Sequence, residues 1–141
     1  MIAVRYLFDT SALVRVLRDA RARAGWEQQI EAGLVATCPL VELEFLHTAR
    51  SKADRDQLVE LIGAAFTWLP VPDEVFRRAF EVQDALTAAG THRSAGAVDL
   101  LLAATAELAG LTLVHHDHDF EQIAEVTGQP VARLAPPGSI S

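Results

Sequence analysis

The sequence predicts an α/β fold, a three-layer α/β/α sandwich around a central and mainly parallel sheet. Short apolar runs of strand length alternate with longer segments of helical period along the whole chain. Alternation of that kind joins parallel strands by right-handed crossovers. Half of the 141 residues are apolar, enough to build a core, and no repeat, linker or low-complexity stretch divides them. One domain over 1–135 is expected, with 136–141 as a flexible tail.

The elements follow in order. IAVRYLF, residues 2–8, is a short buried strand, and DTS after it offers capping oxygens to a helix through ALVRVLRDARA, 12–22. WEQQIEAG, 26–33, is a shorter helix closed by Gly33, and LVATC, 34–38, is a strand that stops at Pro39. Proline suits a first helical turn, so PLVELEFLHTAR, 39–50, is helical. Asp54 is the expected cap of the next helix, DRDQLVELIGAAF, and TWLPV is a brief strand. In 73–90 the apolar stripe Val75, Phe76, Ala79, Phe80, Val82 and Leu86 marks a helix ending at Gly90. A loop, THRSAGA, leads into VDLLLAATAELAG, 98–110, which is apolar on nearly every side and so belongs in the centre of the molecule. LTLVH is a strand, FEQIAEVTG a weak helix and PVARL a last short strand.

No apolar stretch approaches the ~20 residues of a membrane helix, and the opening MIAVRYLFDTS lacks a cationic region followed by a cleavable apolar one. The cytoplasm is the expected compartment, with no membrane partner. A single cysteine, Cys38, cannot form an internal disulfide or a paired-cysteine zinc site and reads as a packing residue. The net charge of −7 excludes a protein that coats nucleic acid with a broad basic face. Contact with nucleic acid must be local. Eleven of the 12 basic residues are arginine, the planar fork that grips phosphate or carboxylate.

In open α/β sheets reactive groups gather beyond the carboxyl ends of the strands. Asp9 follows the first strand and Asp117 follows LTLVH, while Glu42 and Asp99 lie in the first turns of helices that start at the same edge. Each acid has a plain structural role to weigh. Asp9 can cap a helix, Asp117 and Asp119 can be turn residues, and Asp99 can complement a helix dipole. Asp99 adjoins four apolar residues, where a carboxylate is costly to desolvate without a cation or strong donors. Four acids on one dry edge would resist ionisation together, and a hard divalent ion resolves the conflict. Mg²⁺ or Mn²⁺ in such a site lowers the pKa of bound water and so makes hydroxide for attack on a phosphodiester. Glu42 and Glu44, two apart, face different ways, so at most one serves easily. His115, His116 and His118 alternate at a strand end; His116 with His118 would make a zinc pair, but a third protein ligand is wanting. Polar loop residues near substrate are the plainer reading, and His47 and His92 form no helical pair.

YLFDTSALVR, CPLVELEFL and VDLLLAATAELAGLTLVHHDHDF, in that order, resemble the PIN-domain ribonucleases, specifically the VapC toxins of bacterial toxin–antitoxin pairs, over essentially the whole chain. The resemblance implies a PIN-like fold and assigns catalytic, metal-binding roles to Asp9, Glu42, Asp99 and Asp117. Ser11 resembles the hydroxyl that bonds the site carboxylates, and Asp119 a helper that caps the following helix. Glu44 can stand in for Glu42, and Asp119 for Asp117, if the register differs. Arg93 and Arg15 are candidates to meet the RNA backbone, with Arg18 also nearby. The activity implied is a Mg²⁺-dependent endoribonuclease, with Mn²⁺ as substitute, that cuts tRNA, ribosomal RNA or messenger RNA and suppresses translation. The partners implied are a VapB-type antitoxin, a second copy in a homodimer, and the toxin–antitoxin hetero-oligomer.

Three other readings compete. FDTS resembles the phosphatase loop of the haloacid dehalogenase group, but its second acid is replaced by Ser11 and Lys52 sits in a polar segment. A phosphorylated receiver domain fails on the same acids and lysine. A PIN-like module that binds a partner without catalysis is the non-enzymatic alternative, and the filled acid positions count against it.

Overall fold

The computed structural model describes residues 3–116, 120–136 and 138–139. Five parallel strands form one sheet in the order β3-β2-β1-β4-β5. They are β1 (Tyr6–Phe8), β2 (Val35–Thr37), β3 (Thr67–Trp68), β4 (Thr112–His115) and β5 (Val131–Arg133). The helices are α1 (Thr10–Arg18), α2 (Ala20–Glu31), α3 (Pro39–Leu46), α4 (Lys52–Ala65), α5 (Glu74–Ala88), α6 (Ala97–Ala109) and α7 (Glu121–Thr127), with a 3₁₀ turn at His92–Ser94. The architecture is the α/β sandwich expected, with a sheet parallel throughout. Among the described residues no helix is long and apolar enough to cross a membrane.

The chain builds β1, β2 and β3 outward in one direction, then returns to lay β4 on the other side of β1. Leu7, Phe8, Val35, Leu113 and Val114, all fully buried, make the middle of the core. Trp26 closes one end. Its ring meets Tyr6 and Phe8 edge-on at 5.0 and 5.1 Å, and its Nε1 donates to the carbonyl of Leu134 at 2.8 Å. The indole thereby buries its body while its one polar atom finds a partner, and α2 is tied to the chain beyond β5.

Several expected boundaries move. The first strand is short, because the N–H groups of Arg5 and Tyr6 both go to the carbonyl of Leu34 and ladder pairing starts only at Tyr6. The helix expected over 12–22 breaks at Asp19, which is extended and whose carboxylate accepts from the N–H groups of Arg21 and Ala22. A short acid that satisfies two orphan donors starts a new helix there. Ser51, not Asp54, caps α4, accepting from the N–H of Asp54, while the Asp54 carboxylate accepts from the N–H of Arg50. Phe76 and Phe80 are not core residues, being 52% and 73% exposed. They border an apolar cavity of about 270 Å³ between α5 and α6, lined also by Ala97, Leu100 and Leu101. Gly110 ends α6 as expected, in the left-handed conformation at φ 71°. The tail expected at 136–141 lies partly outside the described residues.

Candidate active site

The site is built from the carboxyl ends of β1, β2 and β4. Asp9 leaves β1 in an extended conformation and caps α1, with Oδ1 accepting from the N–H of Ala12 at 2.8 Å. It is only 2% exposed. Its own N–H donates to the carbonyl of Val114 in β4 at 2.9 Å, which locks the residue into the crevice between the two strands. Ser11 completes the arrangement. Its hydroxyl donates to Asp9 Oδ1 at 2.7 Å and accepts from the backbone N–H of His116 at 2.9 Å. One oxygen thus couples the acid after β1 to the chain leaving β4. Asp9 is both a helix cap and a buried carboxylate, so the two roles coexist in one side chain.

The two glutamates of α3 part as their spacing requires. Glu42 is half-buried, and its Oε2 accepts from the hydroxyl of Thr37, the buried last residue of β2, at 3.0 Å. Glu44 is exposed, and its Oε1 accepts from the hydroxyl of Thr10 at 2.7 Å. Asp99, half-buried in the first turn of α6, accepts at Oδ2 from the N–H of Gly96 over 3.4 Å, a long bond that is only the acid's half of a capping box, since Gly96 has no side chain to return it. Helix α3 packs against both α1 and α6. Arg15 lies half-buried in α1, whereas Arg93 is exposed in the 3₁₀ turn before α6. Asp117, His118 and Asp119 lie outside the described residues. Sequence reasoning missed Thr37 and Thr10 as partners of the glutamates. A hydroxyl beside each strand end, next to a helix that carries acids, was the available signal.

Of the histidines among the described residues near this edge, His115 falls in the strand expected for LTLVH, and both it and His116 are buried rather than displayed in a loop. His115 ends β4 and is 3% exposed, with its ring 5.6 Å from that of Phe120; His116 is 8% exposed. The His116 carbonyl accepts from Arg133 Nη2 at 3.2 Å. His47 and His92 are exposed on separate elements. Cys38 is fully buried, and burial pushes its thiol above the ordinary 9.0, away from the thiolate a metal would need.

Among the described residues no group of three or more His, Cys, Asp or Glu side chains is gathered to hold a metal ion. The donor chemistry nonetheless fits a hard cation. Asp9, Glu42 and Asp99 offer only carboxylate oxygens, and Mg²⁺ retains several waters while taking one or two carboxylates from a protein.

Residues 6–126 match the family model of the PIN domain. The chain belongs to the PIN-domain family, among its VapC members. Ribonuclease VapC21 of Mycobacterium tuberculosis is 43% identical over 135 residues, covering 96% of this chain and 97% of that protein. Ribonuclease VapC51 of the same organism is 39% identical over 138 residues, 98% of each. The fold of this VapC chain recurs in VapBC2 from Rickettsia felis bound to a promoter DNA fragment, with a TM-score of 0.76 at 15% identity over 92% of this chain and 98% of that one. DNA-bound VapBC from Salmonella typhimurium gives a TM-score of 0.72 at 15% identity, covering 94% and 99%. The matched segment runs from β1 into α7, so the PIN-domain portion of this VapC contains Asp9, Glu42 and Asp99 but not β5.

Proposed function

We propose that this VapC chain is a Mg²⁺-dependent endoribonuclease, served also by Mn²⁺, which hydrolyses tRNA, ribosomal RNA or messenger RNA in the cytoplasm and so inhibits translation. The observation that carries the reading is the buried Asp9 carboxylate, fixed by Ser11 and Ala12 at the crevice between β1 and β4, in a chain whose relatives are named ribonucleases. Burying an acid there is costly unless strong donors or a cation meet it.

Asp9, Glu42, Asp99 and Asp117 are the residues that would hold the cation, with Ser11 fixing Asp9 and Asp119 supporting the loop. A bound divalent ion supplies hydroxide from its own water and stabilises charge on the phosphodiester. The protein's share is orientation. Ser11 and Ala12 fix the Asp9 carboxylate, and Arg93 and Arg15 would draw the RNA phosphates toward the acids. A VapB-type antitoxin and a second copy of the chain are the proposed partners, and the exposed Phe76 and Phe80 supply apolar surface that such assemblies bury.

Purified, antitoxin-free protein should degrade RNA with Mg²⁺ or Mn²⁺ and stop when a chelator is added. Asp9→Asn and Asp99→Asn should each lower the cleavage rate by at least about 100-fold, beyond the loss typical of a residue that only supports a ligand. Undiminished cleavage in either variant would remove that residue from the site. A folded wild-type protein that binds VapB but never cuts RNA would favour the partner-binding module instead.

A further inference from the structure

Glu42 and Glu44 share one helix, stand two residues apart and end on different threonines. Thr37 is 1% exposed at the last position of β2, and its hydroxyl sits 3.0 Å from Glu42 Oε2. Thr10 directly follows Asp9, and its hydroxyl sits 2.7 Å from Glu44 Oε1. From this geometry we infer that the two hydroxyls divide the glutamates between tasks: Thr37 is the positioning residue that presents Glu42 to the cation, and Thr10 holds Glu44 as a clasp between α3 and α1.

A glutamate carries rotamer freedom that a cation must freeze on binding. Thr37 removes much of that freedom beforehand. With Oε2 engaged by a buried donor, the carboxylate plane is set and the second oxygen is the one offered to a ligand. The donor is the buried last residue of β2, so the orientation is inherited from a strand rather than from a loop. Glu44 stands apart in two respects. It is exposed, where a hydroxyl–carboxylate bond competes with water, and its partner belongs to the helix that Asp9 caps. Engagement with Thr10 draws α3 against the start of α1 and keeps the Glu44 carboxylate occupied there.

This inference rests on the metal-dependent nuclease reading, and Mn²⁺ binding to chelator-stripped protein separates the two. Calorimetric titration of wild type with Mn²⁺ sets the reference. Thr37→Val, nearly isosteric, should weaken Mn²⁺ binding about tenfold, at the lower edge of the cost of losing an outer-shell partner. Thr37→Ser should restore it, and the melting temperatures of both variants in chelator show that each is folded. Glu42→Gln should lose Mn²⁺ affinity, whereas Thr10→Val and Glu44→Gln should bind Mn²⁺ as wild type does. Wild-type affinity in folded Thr37→Val, or a loss in Glu44→Gln matching that of Glu42→Gln, overturns the assignment while leaving the nuclease reading in place. Failure of the wild type to bind Mn²⁺ at all removes both.

Discussion

Ser11 uses one oxygen for two purposes, donating a hydrogen bond to Asp9 and accepting one from the N–H of His116. Both contacts are buried, so neither is replaced by water at no cost. Ser11→Ala should destabilise the protein by about 1–2 kcal/mol, the typical consequence of deleting a buried hydrogen-bonding group, as read by urea denaturation. Cleavage should fall too, since Asp9 would keep only the Ala12 donor of that pair. Unchanged stability in Ser11→Ala would mean that the bridge between β1 and β4 is incidental. At this scale the sequence disclosed the acids but not their partners. DTS announces a cap, and Asp9 does cap α1; nothing in the string VATCPLVELEF tells that Thr37 reaches Glu42 rather than Glu44. That choice depends on which side of α3 faces β2, and side-chain direction is set by packing.

Helix α5 shows what periodicity can and cannot tell. Val75, Ala79, Val82 and Leu86 are buried along one line, but Phe76 and Phe80 extend the apolar arc into solvent. A stripe specifies an apolar face without specifying how much of it the rest of the chain covers. Phe80→Ser should therefore change folding stability by no more than about 0.5 kcal/mol, as surface substitutions do, and calorimetry would detect a larger loss if the ring were part of the core. The opposite is expected two residues back along the same helix. Arg78 donates from Nε and Nη2 to the two oxygens of Glu107 on α6, at 2.6 and 3.0 Å, and from Nη1 to Glu81 at 3.4 Å. The paired carboxylate holds the guanidinium well above its usual range, so it stays charged at any working pH. Because both side chains are partly exposed, solvent screens the pair, and Arg78→Ala should cost about 1–2 kcal/mol rather than the larger loss of a fully buried pair. A double-mutant cycle with Glu107→Ala would isolate that coupling.

At the scale of the molecule, strand order decides where chemistry can happen. The chain reverses its direction of travel across the sheet between β1 and β4, and open α/β sheets bind ligands in the crevice at such a reversal. Asp9 and His116 flank that crevice, joined through Ser11. Because Phe8, Leu113 and Val114 are fully buried in one apolar core, chelator-treated protein should unfold cooperatively, and saturating Mn²⁺ at about 100 times its Kd should add about 2.7 kcal/mol. A chelated protein without a cooperative transition would make the cation structural instead. By itself the sequence determined the layered α/β class, the succession of helices and strands, and the acids that follow strands, because periodicity, caps and prolines act over a few residues. The tertiary structure alone decided that Phe76 and Phe80 stay outside, that His115 and His116 are buried, and which threonine each glutamate meets. These depend on contacts between segments far apart in the chain, and no local rule carries that information.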